Sequence, residues 1–490
     1  MVVIDDLKKK IEREYVGFSP STASIKPVHI ANGMFRTILG QTVSTKVLNR
    51  FVISQTQKGV KKGHELDAVY KILLDNNQID AKEIRKEDIK PLRPLLKKIV
   101  GADSAVFTEG MESYTAGFSG FATKDRIGQD GGELVAEWLQ SCNSDLFEII
   151  KKSLEDSSDT ISTLCIPLLD VTNVTAFTPP YNRTPFLKNS RLKSYKQLWD
   201  GMLLAANTLS KHLDRHPNKL LRLRFAVLFS CFVIIRHLTS LEARFVKGAG
   251  KYIPPFLLSF DYRSSNGSVA RASLQTYARA CQSVARFYAW AFSAQLLNLV
   301  DEEELSNTDP PIYATKQKKS PQSKKNIKEQ MEAAEIWSLA VKRAEERDGN
   351  GSIVYGEAIY DMMATQQEGD PIKYLRKLGL LSGLTYPPNQ TSQRFVPKQD
   401  MLEVLILGLI EPGESIDMLA LQERLYDRYR IIIGGRQEDE KILMDNGIYQ
   451  VDANAMHQNR ELFSAHLGRL DFARLLADGV LQIEVEGPHD

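Results

Sequence analysis

The stretch "NKLLRLRFAVLFSCFVIIRHLTSLEARF" (residues 218–245) constrains this chain more than any other feature. Its spacing is helical, and its apolar residues fall almost all the way round. A helix of that kind needs neighbours on most sides, so it belongs in the middle of a bundle. The longest apolar runs are Ala226–Ile235, broken by Ser230, and Met401–Ile410, broken by Glu403. Both are too short to span a bilayer, and no membrane partner is expected.

Neighbours for that helix are visible on both sides. Leu198, Met202, Ala205, Leu209 and Leu213 recur at spacings of three or four, which makes one apolar helix face ending before Pro217. After it, "SVARASLQTYARACQSVARFYAWAFSAQLLNLV" reads as a second long helix. On it Arg271, Arg279 and Arg286 recur at eight and seven residues, within roughly a quarter-turn. This secondary basic stripe has the spacing to meet phosphate. Arginines on helix surfaces are common, so a solvated or acid-paired face is the ordinary alternative. The first 150 residues mix short helical patterns with glycine-rich joints, and "TAGFSGFATKDRIGQDGG" (115–132) reads as a loop.

A chain of 490 residues is too long for one ordinary core, so two or three domains are expected. The clearest boundary follows the acidic "DEEEL" (301–305). Beyond it, Pro310, Pro311 and Pro321 frame a run in which six lysines fall between Lys316 and Lys328 with no acid among them. A lysine run without aromatic partners is a solvated linker before it is a nucleic-acid arm. The expected organisation is a helical body over 1–305, with a sub-boundary near 150–190, a linker over 306–327, and further units over 328–398 and 399–490. Composition is that of a globular chain, 43% apolar and 25% charged, and the net charge of +2 excludes one overwhelming basic surface. The cysteines Cys142, Cys165, Cys231 and Cys281 include no CxxC pair. They suit a reducing compartment, and with no signal-peptide pattern at the N-terminus a cytoplasmic location is expected.

After the linker the pattern changes. "KEQMEAAEIWSLAVKRAEER", "YGEAIYDMMATQQEG" and "DPIKYLRKLGLL" read as three helices, the last with Asp370 as N-cap and Pro371 at the first helical position. "LLSGLTYPPNQTSQRFVPK" then reads as strand, loop and returning strand. Three helices and a two-stranded wing is the order of a winged helix. On the third helix Lys373, Arg376 and Lys377 share one side, while Tyr374, Leu375 and Leu378 share the other and are expected to pack on the first two helices. A helix basic outward and apolar inward suits a DNA major groove, with Arg394 and Lys398 of the wing adding backbone contacts. The alternative is a winged helix used for protein docking. A second unit of the same type is expected over 399–490. The predicted fold is therefore mainly α, a helical body followed by tandem winged-helix-like α+β units.

Within that second unit, "DRYRIIIGGR" (427–436), just after "MLEVLILGLIEPGE" (401–414), resembles proteins encoded in bacterial anti-phage defence islands beside HerA- or FtsK-type ATPases. The resemblance covers about eighty residues and carries no catalytic signature. It implies an accessory subunit of a DNA-sensing or DNA-degrading complex, with an ATPase, translocase or nuclease as protein partner and DNA as a candidate partner. Two other classes stay open: a stand-alone winged-helix DNA-binding regulator, and a divergent nuclease-type enzyme in the N-terminal body.

No complete catalytic motif is found, and no cofactor is expected. "GAGK" (248–251) has Phe245 where a P-loop needs its first glycine, and Tyr252 where it needs Ser or Thr. "GFSGF" (117–121) has Phe121 where a nucleophile elbow needs its second glycine. His212 and His216 have a metal-ligand spacing but no evident third ligand, and suit the helix C-terminal dipole without a metal. "HELD" (64–67) and "GGELVAEW" (131–138) are isolated acids. A non-catalytic scaffold is the expectation.

Overall fold

The computed structural model describes residues 2–20, 25–44, 51, 64–94, 130–156, 158, 163, 166–168, 170–179, 193–246, 253–261, 267–298, 312–313, 335, 338–339, 341–343, 346, 353–365, 370–389, 391–449, 451–477 and 481–485. The chain is mainly helical. Its helices are α1 (Ile4–Ile11), α2 (Pro27–Leu39), α3 (His64–Asp75), α4 (Asp130–Ser141), α5 (Asp145–Glu155), α6 (Lys193–Arg215) and α7 (Lys219–Phe245). There follow α8 (Ser268–Leu297), α9 (Ile353–Thr365), α10 (Pro371–Leu381), α11 (Gln399–Leu407), α12 (Met418–Tyr429), α13 (Asp439–Asp445) and α14 (Ala453–Arg469).

Helix α7 is the centre. Asn218 starts it, its side chain accepting from the amides of Leu220 at 2.9 Å and Leu221 at 3.3 Å. It packs against α2, α4, α5, α6 and α8, and against α10 and α11 from the far end of the chain. Among the described residues it is the helix long and apolar enough to cross a membrane, and its most apolar window is wholly buried inside the fold. Two of its hydroxyls turn back on their own helix: Ser230 donates to the carbonyl of Ala226, and Thr239 to that of Ile235. On α6 the expected face, Leu198 to Leu213, is buried throughout.

Two close helix approaches depend on glycine. The loop expected over 115–132 stops short of its end, because Asp130, Gly131 and Gly132 form the first turn of α4; residues 115–129 lie outside the described residues. A Cβ at Gly132 would run into the Ile30 carbonyl of α2, so only glycine permits this crossing. Likewise, a Cβ at Gly356 of α9 would meet the Ala289 carbonyl of α8, and α8 with α9 forms the most extensive helix pair among the described residues.

The strands are short. β1 (Val2–Val3) pairs parallel with β5 (Ile312–Tyr313), and β2 (Gln41–Ser44) antiparallel with β3 (Asp170–Ala176). Apart from Ile312 and Tyr313, the expected linker 306–327 lies outside the described residues. β4 (Phe256–Leu257) pairs parallel with β9 (Ile431–Ile432), and β6 (Thr385–Tyr386) with β7 (Arg394–Phe395) as an antiparallel hairpin. β8 (Ser415–Asp417), β10 (Ala473–Leu475) and β11 (Leu481–Glu484) form a three-stranded antiparallel sheet in the order β10-β11-β8.

Among the described residues, buried apolar side chains form a large cluster running from Leu7 to Val485 and a smaller one at Leu257, Val269, Ala272, Ile432, Leu443, Ile448 and Met456. The extended segment 253–261 stitches the two halves of the chain. Besides the β4–β9 pairing, Ser259 donates its N–H to the Phe395 carbonyl at 2.9 Å. Buried Asn459 of α14 donates to the carbonyls of Leu258 at 2.9 Å and Ile433 at 2.7 Å, and accepts from the Phe260 amide at 2.9 Å. One side-chain amide thus satisfies three backbone groups from two segments and ties both to α14.

Candidate functional site

Helix α10 begins as its sequence requires. The Asp370 carboxylate accepts from the Ile372 amide at 2.9 Å, and Pro371 occupies the first turn. Tyr374, Leu375 and Leu378 are buried, and α10 as an element packs chiefly on α7 and α8 rather than on α9. Much of the other helix expected before it, 328–347, lies outside the described residues, and α9 itself is laid along α8. The most apolar surface available to α10 is the side of α7, which explains the difference.

That seating changes what the basic side of α10 meets. Lys373, Arg376 and Lys377 are half-buried. The Lys373 Nζ lies 3.5 Å from the Ala364 carbonyl. Arg376 lies beside Tyr277 and Cys281; burial pushes the Cys281 thiol up to about 11, against the pull of the Arg376 charge. Burial, and then the charge of Lys377, lower the Lys26 ammonium below its ordinary value. In the hairpin, Arg394 is buried and donates to the Asp261 carbonyl at 3.1 Å, with burial lowering its pKa. Lys398 is exposed, its stem lying over Gly383. Of these five cations, therefore, Lys398 alone is fully in solvent.

The stripe on α8 is treated differently. Arg271 and Arg286 are exposed and Arg279 is half-buried. Arg279 Nη1 donates to Gln282 Oε1 at 2.8 Å, and Arg286 Nη1 lies 3.7 Å from Glu242 Oε1 on α7. Arg279 and Arg286 line a cleft of about 660 Å³, together with Glu242 and Ala243 of α7, Pro254, and Asp445–Ile448 at the end of α13.

Several interior groups have no local sequence signal, and one of them, Glu133 of "GGELVAEW", is ion-paired rather than the isolated acid expected. Arg236 is fully buried, donates to the Pro254 carbonyl at 3.1 Å and lies 3.9 Å over the Phe256 ring. Burial, and then the Arg430 charge, lower its pKa to about 9. His237 donates from Nε2 to the Val16 carbonyl at 2.8 Å, and burial pushes its pKa down to about 4, so it is neutral at pH 7. Arg36 of α2 and Glu133 of α4 form a buried ion pair. Arg424 holds Glu414 with two hydrogen bonds of 2.7 and 2.6 Å, which pull that carboxyl down to about 2. No local sequence pattern marks any of these.

His212 is 2.7 Å from the Ile410 carbonyl, and His216 Nδ1 accepts from the Asn218 amide at 3.0 Å. Among the described residues no group of three His, Cys, Asp or Glu side chains could hold a metal ion. "GAGK" and "GFSGF" lie outside the described residues. No family model, curated protein or solved structure matches the chain.

Proposed function

We propose that this chain is a scaffold subunit of a bacterial DNA-targeting defence complex, cytoplasmic and non-catalytic, which docks an ATPase or nuclease partner through its C-terminal unit. The non-catalytic part rests on the incomplete P-loop and nucleophile-elbow motifs, and the defence context on the resemblance carried by residues 401–436.

The order from α11 onward supports the unit's type. Helix α11, strand β8, helix α12, helix α14 and strands β10 and β11, with β11 between β8 and β10, follow an order that a winged helix would have, with β9 and α13 inserted between α12 and α14. Helices α9 and α10 with the β6–β7 hairpin fit part of the same order. In the winged-helix reading α14 is the third helix. Its exposed positions are Ala453, Asn454, His457, Gln458, Glu461, Leu462, Ala465, Gly468 and, at its end, Arg469, with Arg460 half-buried. A helix built to enter the major groove would be expected to carry more cations than this, because the groove's rim is phosphate.

One observation carries the docking reading. Of the eleven exposed large apolar side chains among the described residues, six lie in this unit: Leu419, Met444, Tyr449, Leu462, Leu475 and Leu476. Tyr449 is 73% and Leu475 69% exposed. Interface cores draw on such side chains, which gain free energy when a partner removes them from water.

The test uses the full chain, since the unit shares its core with the helical body. Leu462→Glu with Leu475→Glu alters two exposed positions and should leave the melting temperature unchanged. Tagged and recovered from native cells, the wild type should bring down an ATPase or nuclease identified by mass spectrometry, and the double variant should lose it. Recovery of that partner at the wild-type level by a folded double variant would sink the proposal.

A further inference from the structure

We infer that the open arc of α8 and the cleft beside it bind the phosphodiester backbone of a nucleic acid, without regard to base sequence. The inference rests on the reading of the chain as a subunit of a DNA-targeting complex, and assigns the contact to a helix outside the winged-helix units.

Arg271, Gln275, Arg279, Gln282 and Arg286 fall within one arc of α8, and all but half-buried Arg279 are exposed. From Arg271 to Arg286 that arc runs about 22 Å along the axis. Its opposite side, through Tyr277, Ala280, Val284, Phe287 and Ala291, is buried. The whole helix, Ser268–Leu297, contains no Asp or Glu. Its solvent side thus offers guanidinium forks and side-chain amides, which donate to anionic oxygens, and no carboxylate that would repel them.

The cleft adds geometry. Glu242, 6% exposed, lines the cleft and stands 3.7 Å from one Nη of Arg286. That distance is too long for a hydrogen bond, so it orients the guanidinium and leaves its donors available. The Arg271 side chain makes no hydrogen bond or ion pair with another described residue. Among the described residues no aromatic ring lines the cleft, so these residues offer bases nothing to stack on, and the backbone is the part of a nucleic acid this surface fits. Asp445 also lines the cleft and would repel a strand lying close to it, which favours the arginine-bearing arc of α8 as the strand's path.

The experiment measures binding of the full chain to mixed-sequence duplex DNA, single-stranded DNA and duplex RNA over a salt series, with poly-glutamate as a competing polyanion. The wild type should bind, and Arg279→Ala with Arg286→Ala should reduce the magnitude of its log–log salt slope by about two, equally for unrelated sequences. Arg271→Ala should reduce it by about one. Lysine at 279 and 286 should restore most of the slope, because a point charge still releases counterions. These side chains lie at the surface, so unchanged melting temperatures separate lost contacts from lost folding. Comparison of the three nucleic acids tells which strand form is the natural occupant.

The inference is overturned if the wild type binds none of them at low salt, or if the triple alanine variant keeps the wild-type slope. It is also overturned if poly-glutamate competes as well as DNA at equal charge, which would make the cleft an acidic-peptide site. Partner recovery separates the two proposals. Lost nucleic-acid binding with the partner retained leaves docking intact, and partner retention by the Leu462/Leu475 variant with arginine-dependent binding intact removes docking alone.

Discussion

Helices α8 and α10 each carry three cations at helical spacing, and each reads as a helix with one basic side and one apolar side. On α8 the basic side faces solvent and a cleft; on α10 it is half-buried, with Arg376 beside Tyr277 and Cys281. The difference lies in what the apolar side found to pack on. Helix α8 is thirty residues long and is covered along one side by α7 and α9. Helix α10 is eleven residues long and is wedged between α7, α8 and its own hairpin, so the wedge reaches its basic edge. A face pattern therefore says which side is inward, and says less about how much of the other side stays in water.

The sharpest way to break that comparison is to attack the wedge. Leu378→Ala removes a fully buried side chain from the α10 contact and should destabilise the protein by about 2 to 5 kcal/mol, read as a lower denaturation midpoint. A cost below about 0.5 kcal/mol would mean that α10 is not seated on α7 at all.

A second test concerns a group held neutral inside the fold. His237 has a folded pKa of about 4, below its ordinary 6.5. A base whose folded pKa is depressed contributes full stability above the unfolded value and loses it as pH falls toward the folded one. Stability should therefore fall between about pH 6.5 and 4, by roughly 3 kcal/mol from this group alone. In His237→Gln that part of the pH dependence should vanish, as melting temperatures from pH 4 to 8 would show. An unchanged slope would relocate the acid sensitivity to other groups.

The smallest expected effect is the most discriminating. Arg271→Ala should change stability by less than about 0.5 kcal/mol, whereas Arg394→Ala, which removes a buried guanidinium from the Asp261 carbonyl, should cost about 1.5 to 3 kcal/mol. Equal costs would erase the contrast between an open cation and an interior one.

Local periodicity made much of the fold legible. The central place of α7, the cap at Asp370, the buried face of α6 and the elements from 371 to 395 all follow from residues within a few positions of each other. The glycines at 131 and 132 misled, because a glycine pair marks a turn in most settings, and only the nearness of α2 shows why a helix needs it here. The candidate site was half legible. The spacing of Arg271, Arg279 and Arg286 placed them on one side of a helix, while nothing local indicated that Glu242 and Asp445 would wall a cleft beside them.

The sequence by itself determined that this chain would be mainly helical, with one helix too apolar to stand anywhere but the middle. That follows from side-chain period and the removal of apolar surface from water, both short-range properties of the chain. Tertiary structure alone decided that β4 would pair with β9, that Asn459 would tie two segments to α14, and that the α8 arginines would stay open while those near α10 were drawn inward. Those outcomes depend on which surfaces, far apart in sequence, compete for the same side of α7, and a linear pattern holds no record of that competition.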